Sequence, residues 1–266
     1  MNPGHTVAVW MYENDNGHIP KARLLERLRA LGMEVVHDFD MRACHVLNGR
    51  VHTACGRCLS DVDVLFHMNA DEQTPHQEDI LRAVEASGVT VINDCAAFFR
   101  CKDKFVANAQ LRRHGVQVPE SALLGPHVAR SVVDDLFRRW GALVYKPRGG
   151  HGAVGIVRFT DPEQFADFLQ ATDGHCANYY VEQFIEFGEM DSRVEVYGGR
   201  VVGGYSRHRR HSFKTNISSG GRMMPREIRE EAEVALAAAR ALQIDGTVVD
   251  MVQSSHDGRR GCARGR

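Results

Sequence analysis

The stretch Val144-Tyr-Lys-Pro-Arg-Gly-Gly-His-Gly-Ala-Val-Gly-Ile-Val157 leaves an apolar, β-branched segment, passes through a glycine-rich loop and re-enters an alternating segment. Gly150, Gly152 and Gly155 spell GxGxxG, but a dinucleotide fingerprint must open a helix, and a P-loop needs GxxxxGK[ST] before one. Neither context is present. Val154-Gly-Ile-Val-Arg-Phe159 alternates and reads as strand, so the loop joins two antiparallel strands. Its glycines let backbone N–H groups approach an anion, and Lys146 at the strand exit supplies a point charge suited to phosphate oxygens. From this stretch alone, an ordinary glycine-rich hairpin is the competing reading.

The surrounding chain is that of a globular protein: 266 residues, 43% hydrophobic and 25% charged. A formal net charge of −1 gives no global attraction to nucleic acid. No window approaches the roughly 18 apolar residues of a membrane span, and Met1-Asn-Pro-Gly-His-Thr6 lacks a signal-peptide pattern, so a cytoplasmic location is expected. Seven cysteines, an odd number, argue against a disulfide framework. Cys44, His45, His52, Cys55 and Cys58 have spacings that a zinc site could use. There is no second CxxC, and the two histidines flank an Asn48-Gly49 turn, so a reduced hairpin is the alternative.

Along the chain, Thr6–Trp10, Glu34–His37, Val62–His67 and Thr90–Asn93 read as strands. Helical patterns between them at Lys21–Leu31 and Pro75–Ser87 predict a small, mostly parallel sheet in an N-terminal α/β domain over residues 1–95. Residues 96–178 then carry a basic helix at Lys102–Arg113, helices at Val128–Trp140 and Pro162–Thr172, and the glycine-loop hairpin. Residues 179–266 begin with the strand Tyr179–Phe184 and a hairpin turned on Gly198-Gly199. The long helix Pro225–Leu242, the strand Thr247–Val252 and a turn signal at Ser255–Gly258 complete this part.

Three polar groups interrupt β-patterned segments: Lys146, Glu182-Gln183 and Asp250. Each alone suits a solvent face. Taken with the glycine loop, they fit a nucleotide site in which a lysine balances phosphate, a strand edge reads the base and an aspartate holds Mg²⁺. The basic, hydroxyl-rich segment Ser206–Gly221 reads as a clamp for a small anion rather than an RNA-binding loop, because it is short and holds one aromatic residue.

In this order the parts resemble an ATP-grasp ligase of the RimK-like type, related to α-L-glutamate ligases and glutathione synthetase. The resemblance runs from about Thr6 to Gly258. It is carried by Ile92-Asn-Asp-Cys-Ala-Ala-Phe-Phe-Arg-Cys-Lys-Asp-Lys-Phe105, Val144-Tyr-Lys146 with its loop, Val181–Ile185, Asp191-Ser-Arg193, Phe213–Asn216 before Gly220-Gly221, and Val248-Val-Asp250. It implies an α/β fold with an N-terminal parallel sheet followed by two α+β subdomains that clasp ATP. It further implies that Lys104 and Lys146 contact phosphates under the loop of Gly150 and Gly152, that Glu182, Gln183 and Phe184 form an adenine-binding hinge, and that Asp191 lies near the ribose. Arg193 and Arg207 would stabilise an acyl phosphate, Lys214, Thr215 and Asn216 would lie beside the γ-phosphate, and Asp250 would ligate Mg²⁺ or Mn²⁺. The implied reaction joins a small carboxylate and an amine, an amino acid or peptide, with no nucleic-acid or membrane partner; it leaves room for a homo-oligomer.

The resemblance also implies a final strand bearing Glu-x-Asn, whereas this sequence ends Arg259-Arg-Gly-Cys-Ala-Arg-Gly-Arg266. Two glycines, four arginines and no carboxylate predict a poor strand, read here as a truncated or frame-shifted end. Mg²⁺ would then be under-coordinated and turnover impaired, so a non-catalytic nucleotide-binding relative is the second reading.

Overall fold

The computed structural model describes residues 4–11, 17–68, 74–150, 152–210, 212–255 and 260–265. The chain forms two compact units, Met1–Phe99 and Arg100–Arg266.

The first unit contains β1 (Thr6–Met11), α1 (His18–Ala30), β2 (Glu34–Val36), the hairpin β3 (His45–Leu47) and β4 (Arg50–His52), β5 (Val64–Met68), α2 (Pro75–Ala86) and β6 (Thr90–Ile92). The four longer-range strands make the expected parallel sheet, in the order β2-β1-β5-β6. Burial on both faces explains the near-continuous apolar run of β1. One face packs Val7, Val9, Leu25 and Leu28, the other Ala8, Leu65, Ile80, Leu81 and Val84. Helix α2 starts at a capping box, with Thr74 and Gln77 exchanging hydrogen bonds and Pro75 in the first turn.

Helix α3 (Cys95–Lys102) leads into the second unit, and α4 (Lys104–Arg113) follows at once. The helix predicted from Lys102 starts at Lys104, because Asp103 leaves helical geometry to cap α4, accepting from the N–H groups of Phe105 and Val106. Next come β7 (Ser121–Leu124), α5 (Arg130–Trp140), β8 (Leu143–Tyr145), β9 (Val157–Phe159), α6 (Pro162–Ala171) and β10 (Tyr179–Gln183). These strands form one sheet, β7-β10-β8-β9, with β8 and β9 antiparallel around the glycine loop. Phe137, Phe159, Phe165, Phe168 and Tyr179 fill its core in tilted and edge-on contacts.

The second sheet of this unit uses β11 (Met190–Tyr197), β12 (Arg200–His208), β13 (Arg222–Pro225), α7 (Glu230–Leu242), β14 (Gly246–Gln253) and β15 (Arg260–Gly265), in the order β13-β12-β11-β14-β15. Pro225 ends an edge strand instead of opening the helix, a position that suits a residue without an N–H. The expectation of a poor terminal strand is corrected. Arg260–Gly265 pairs antiparallel with β14, because the free edge of β14 offers backbone partners that outweigh weak intrinsic propensity. The turn predicted at Ser255–Gly258 lies, beyond Ser255, outside the described residues. No helix among the described residues is long and apolar enough to cross a membrane.

His67 sits in the first unit with 3% of its surface exposed, stacked on Trp10 and edge-on to Phe98. Its Nε2 lies 2.9 Å from the carbonyl oxygen of Asn93, which can only accept, so Nε2 carries the proton. Burial pushes the His67 pKa below its ordinary 6.5, so the unfolded chain takes up this proton first as pH falls. Stability should therefore be undiminished by this group above about pH 6.5 and fall below it, by up to about 1.4 kcal/mol at pH 5.5. Denaturation followed by tryptophan fluorescence at pH 7.5 and 5.5 should show this loss in the parent chain and a smaller one in His67→Gln.

Candidate nucleotide site

The two sheets of the second unit border a solvent-open cleft of about 1160 Å³. Leu111, Val118, Val144, Ile156, Phe184 and Ile185 line its apolar part, and Lys104, Lys146, Lys214, Arg207, Glu182, Asp191 and Asp250 its charged part. A purine has an apolar face and a triphosphate a dense negative charge, so such a surface suits both halves of a nucleotide.

The glycine loop is held from both sides by lysines. Lys104 Nζ donates to the carbonyl oxygens of Pro147 (2.8 Å), Gly149 (2.9 Å) and Gly150 (3.2 Å), and Lys214 Nζ to that of Ala153 (3.0 Å). Gly150 has φ +84°, which turns successive carbonyls inward at little steric cost. Arg148 is anchored to Asp103, so one aspartate both caps α4 and fixes the loop entry. Lys146 is ion-paired to Glu182, whose other oxygen accepts from Tyr180 Oη at 2.7 Å. Burial, and then the charge of Glu182, hold the Tyr180 phenol above its ordinary pKa, so it stays a donor.

Glu182 therefore positions Lys146, and its carboxylate is engaged on both oxygens. The N–H groups of Gln183 and Phe184 donate to the carbonyls of Glu120 (2.8 Å) and Ala142 (3.0 Å). Those two donors are thus engaged within the sheet. Arg158 covers Phe184 at 3.8 Å, and Phe213 meets it edge-on.

Across the cleft, register builds a charged network. Asp191 lies opposite Arg207, and Arg193 opposite Asp250. The first pairing depends on a β-bulge: Val196 pairs with Val201 but Glu195 with Gly203. Without the extra residue, Arg207 would face Met190 on the other side of the sheet. Arg193 Nε and Nη2 donate to Asp250 Oδ1 (2.6 Å) and Oδ2 (2.8 Å), and Arg207 Nη2 lies 3.1 Å from the same Oδ2. Arg207 also forks onto Asp191, which accepts from Thr215 Oγ1 at 2.7 Å. Burial alone would lower both arginine pKa values; Asp250, joined at Arg207 by Asp191, outweighs it and leaves both raised.

Asp191, 5% exposed, accepts from Arg207 on both oxygens and from Thr215 on one, so it orients that arginine. One expectation changes here. Asp250, as arranged, meets two guanidinium groups, and no three His, Cys, Asp or Glu side chains among the described residues could hold a metal ion. Mg²⁺ or Mn²⁺ does not fit this donor set. Cys55, with its sulfur 3.2 Å from Thr53 Oγ1, and Cys58, which pairs in register with His52, likewise belong to no such group.

Sequence reading missed Tyr180 and Asp103. The period-2 spacing of Tyr180 and Glu182 on one strand face was the available signal for the first.

A cleft lined by apolar and cationic side chains and bordered by a glycine-rich hairpin fits the class of folds that grip ATP between two antiparallel sheets. Residues 101–259 match the RimK-like ATP-grasp domain, and the chain belongs to that family of ATP-dependent carboxylate–amine ligases. It is 30% identical over 242 residues to a probable alpha-L-glutamate ligase of Thioalkalivibrio sulfidiphilus, covering 88% of this chain and 79% of that protein. Among solved structures, the D-cycloserine synthetase DcsG has a TM-score of 0.74 at 16% identity, over 99% of this chain and 91% of that one. The ATP-grasp ligase PsnB complexed with minimal precursor has a TM-score of 0.71 at 18% identity, over 99% and 90%. Both show the same fold.

Gly221 packs against the segment that carries Lys214 to Asn216. A Cβ there would collide with the Thr215 carbonyl oxygen and lie 2.8 Å from its carbon. Gly221→Ala should displace this segment, part Lys214 from Ala153 and weaken ADP binding about tenfold by calorimetry, with the circular dichroism spectrum retained.

Proposed function

We propose that this chain joins an amino acid, glutamate first among the candidates, to a carboxylate- or amine-bearing small molecule or peptide at the expense of ATP. The observation that carries the reading is the convergence of Lys104, Lys146 and Lys214 around one glycine-rich loop beside an apolar recess. Gly150 and Gly152 give the loop the freedom to close over phosphate, and Lys146 neutralises charge that builds on the transferred group. Thr215 and Asn216 line the same cleft next to Lys214. The carboxylate oxygen attacks the terminal phosphorus, the bond to ADP breaks, and the resulting acyl phosphate yields an amide when an amine displaces phosphate. Arg207, which lines the cleft, and Arg193, both held in place by Asp250, would steady that intermediate. Excluding water from it is the task of the loop.

The family match and the glutamate ligase among its relatives support this reading. A second reading, nucleotide binding without turnover, is favoured by one specific observation, the engagement of Asp250 by two arginines.

Phosphate release measured with ATP and pooled amino acids, then with single ones, tests the choice. Release that depends on an amino acid supports ligation; ADP binding with no release under any pool supports the second reading. Lys146→Ala should weaken ATP binding about 10- to 100-fold under either, as expected for loss of one charge-assisted contact.

A further inference from the structure

Among the described residues, three carboxylates line the cleft and each is engaged. Glu182 takes Lys146 and Tyr180, Asp191 takes Arg207 and Thr215, and Asp250 takes Arg193 on both oxygens and Arg207 on one. The Asp250 pairings are built into the sheet, since Arg193 stands directly across β11–β14 and Arg207 reaches over from β12. The arginine side chains are 16% and 4% exposed. Buried guanidinium groups that lost this partner would be left uncompensated, and a dication in their place would repel them. Mg²⁺ needs carboxylate oxygens with lone pairs directed at it, in near-octahedral order. Three of the roughly four lone-pair sites of Asp250 meet guanidinium nitrogen.

Resting on the reading of the cleft as a nucleotide site, we propose that Asp250 is not a metal ligand in this chain. It is the hub of a neutral network that positions Arg193 and Arg207, and a divalent cation arriving on a nucleotide joins none of these three carboxylates. Phosphate charge is met instead by Lys104, Lys146 and Lys214, which among the described residues outnumber the one carboxylate, Glu182, lying outside that network in the cleft.

The test is ADP affinity by calorimetry with excess Mg²⁺ and with EDTA, for the parent chain and Asp250→Asn. The proposal expects the ratio of the two affinities to agree between the proteins within about threefold, even where Asp250→Asn shifts both values together. A ratio of about tenfold or more in the parent chain that collapses in Asp250→Asn overturns it. A second measurement needs no variant: in Mn²⁺ titrations followed by electron paramagnetic resonance, the parent chain with ADP should hold Mn²⁺ no more tightly than ADP alone. Binding about tenfold tighter overturns the proposal. A parent chain that binds ADP under neither condition instead refutes the nucleotide site itself, a result distinct from either ratio.

Discussion

Charged groups taken out of water must find partners, and in the C-terminal sheet this requirement fixes more of the arrangement than apolar packing does. Asp191, Arg207, Asp250 and Arg193 alternate in sign across three neighbouring strands, each side chain against at least one of opposite charge. The chain of pairs works only if the strands keep one register. A shift of one residue would send half of the set to the opposite face. The bulge near Glu195 is thus as much a part of the site as the residues that touch the cleft.

The glycine loop obeys the same rule by other means. It has few side chains to bury, and Lys104 and Lys214 donate to its carbonyls instead. Asp103 and Glu182 then act one step back, the first on Arg148 at the loop entry and the second on Lys146. Specificity of shape in this half comes from backbone acceptors gripping ammonium groups, and in the other half from carboxylates gripping guanidinium groups.

The parallel sheet and the antiparallel pair around Val144–Val157 were legible because their patterns are local: β-branched runs, a glycine cluster, helical periodicity between strands. The residues of the site were legible by type for a similar reason, since Lys146, Glu182 and Asp250 interrupt apolar segments. Their partners were not. Nothing in the order of residues says that Arg193 will stand opposite Asp250, because cross-strand register is a property of the assembled sheet and a single bulge changes it. The terminal strand failed in prediction for the opposite reason. Arg260–Gly265 has poor propensity of its own and is ordered by the edge it joins.

The grip of Lys104 and Lys214 on the loop has a thermodynamic consequence. An incoming phosphate does not meet bare ammonium groups; it must exchange with carbonyl oxygens that already satisfy them, so the number of hydrogen bonds made and broken nearly cancels. Heat released on association will then be modest. The driving force shifts toward charge neutralisation and water leaving the apolar side chains of the cleft.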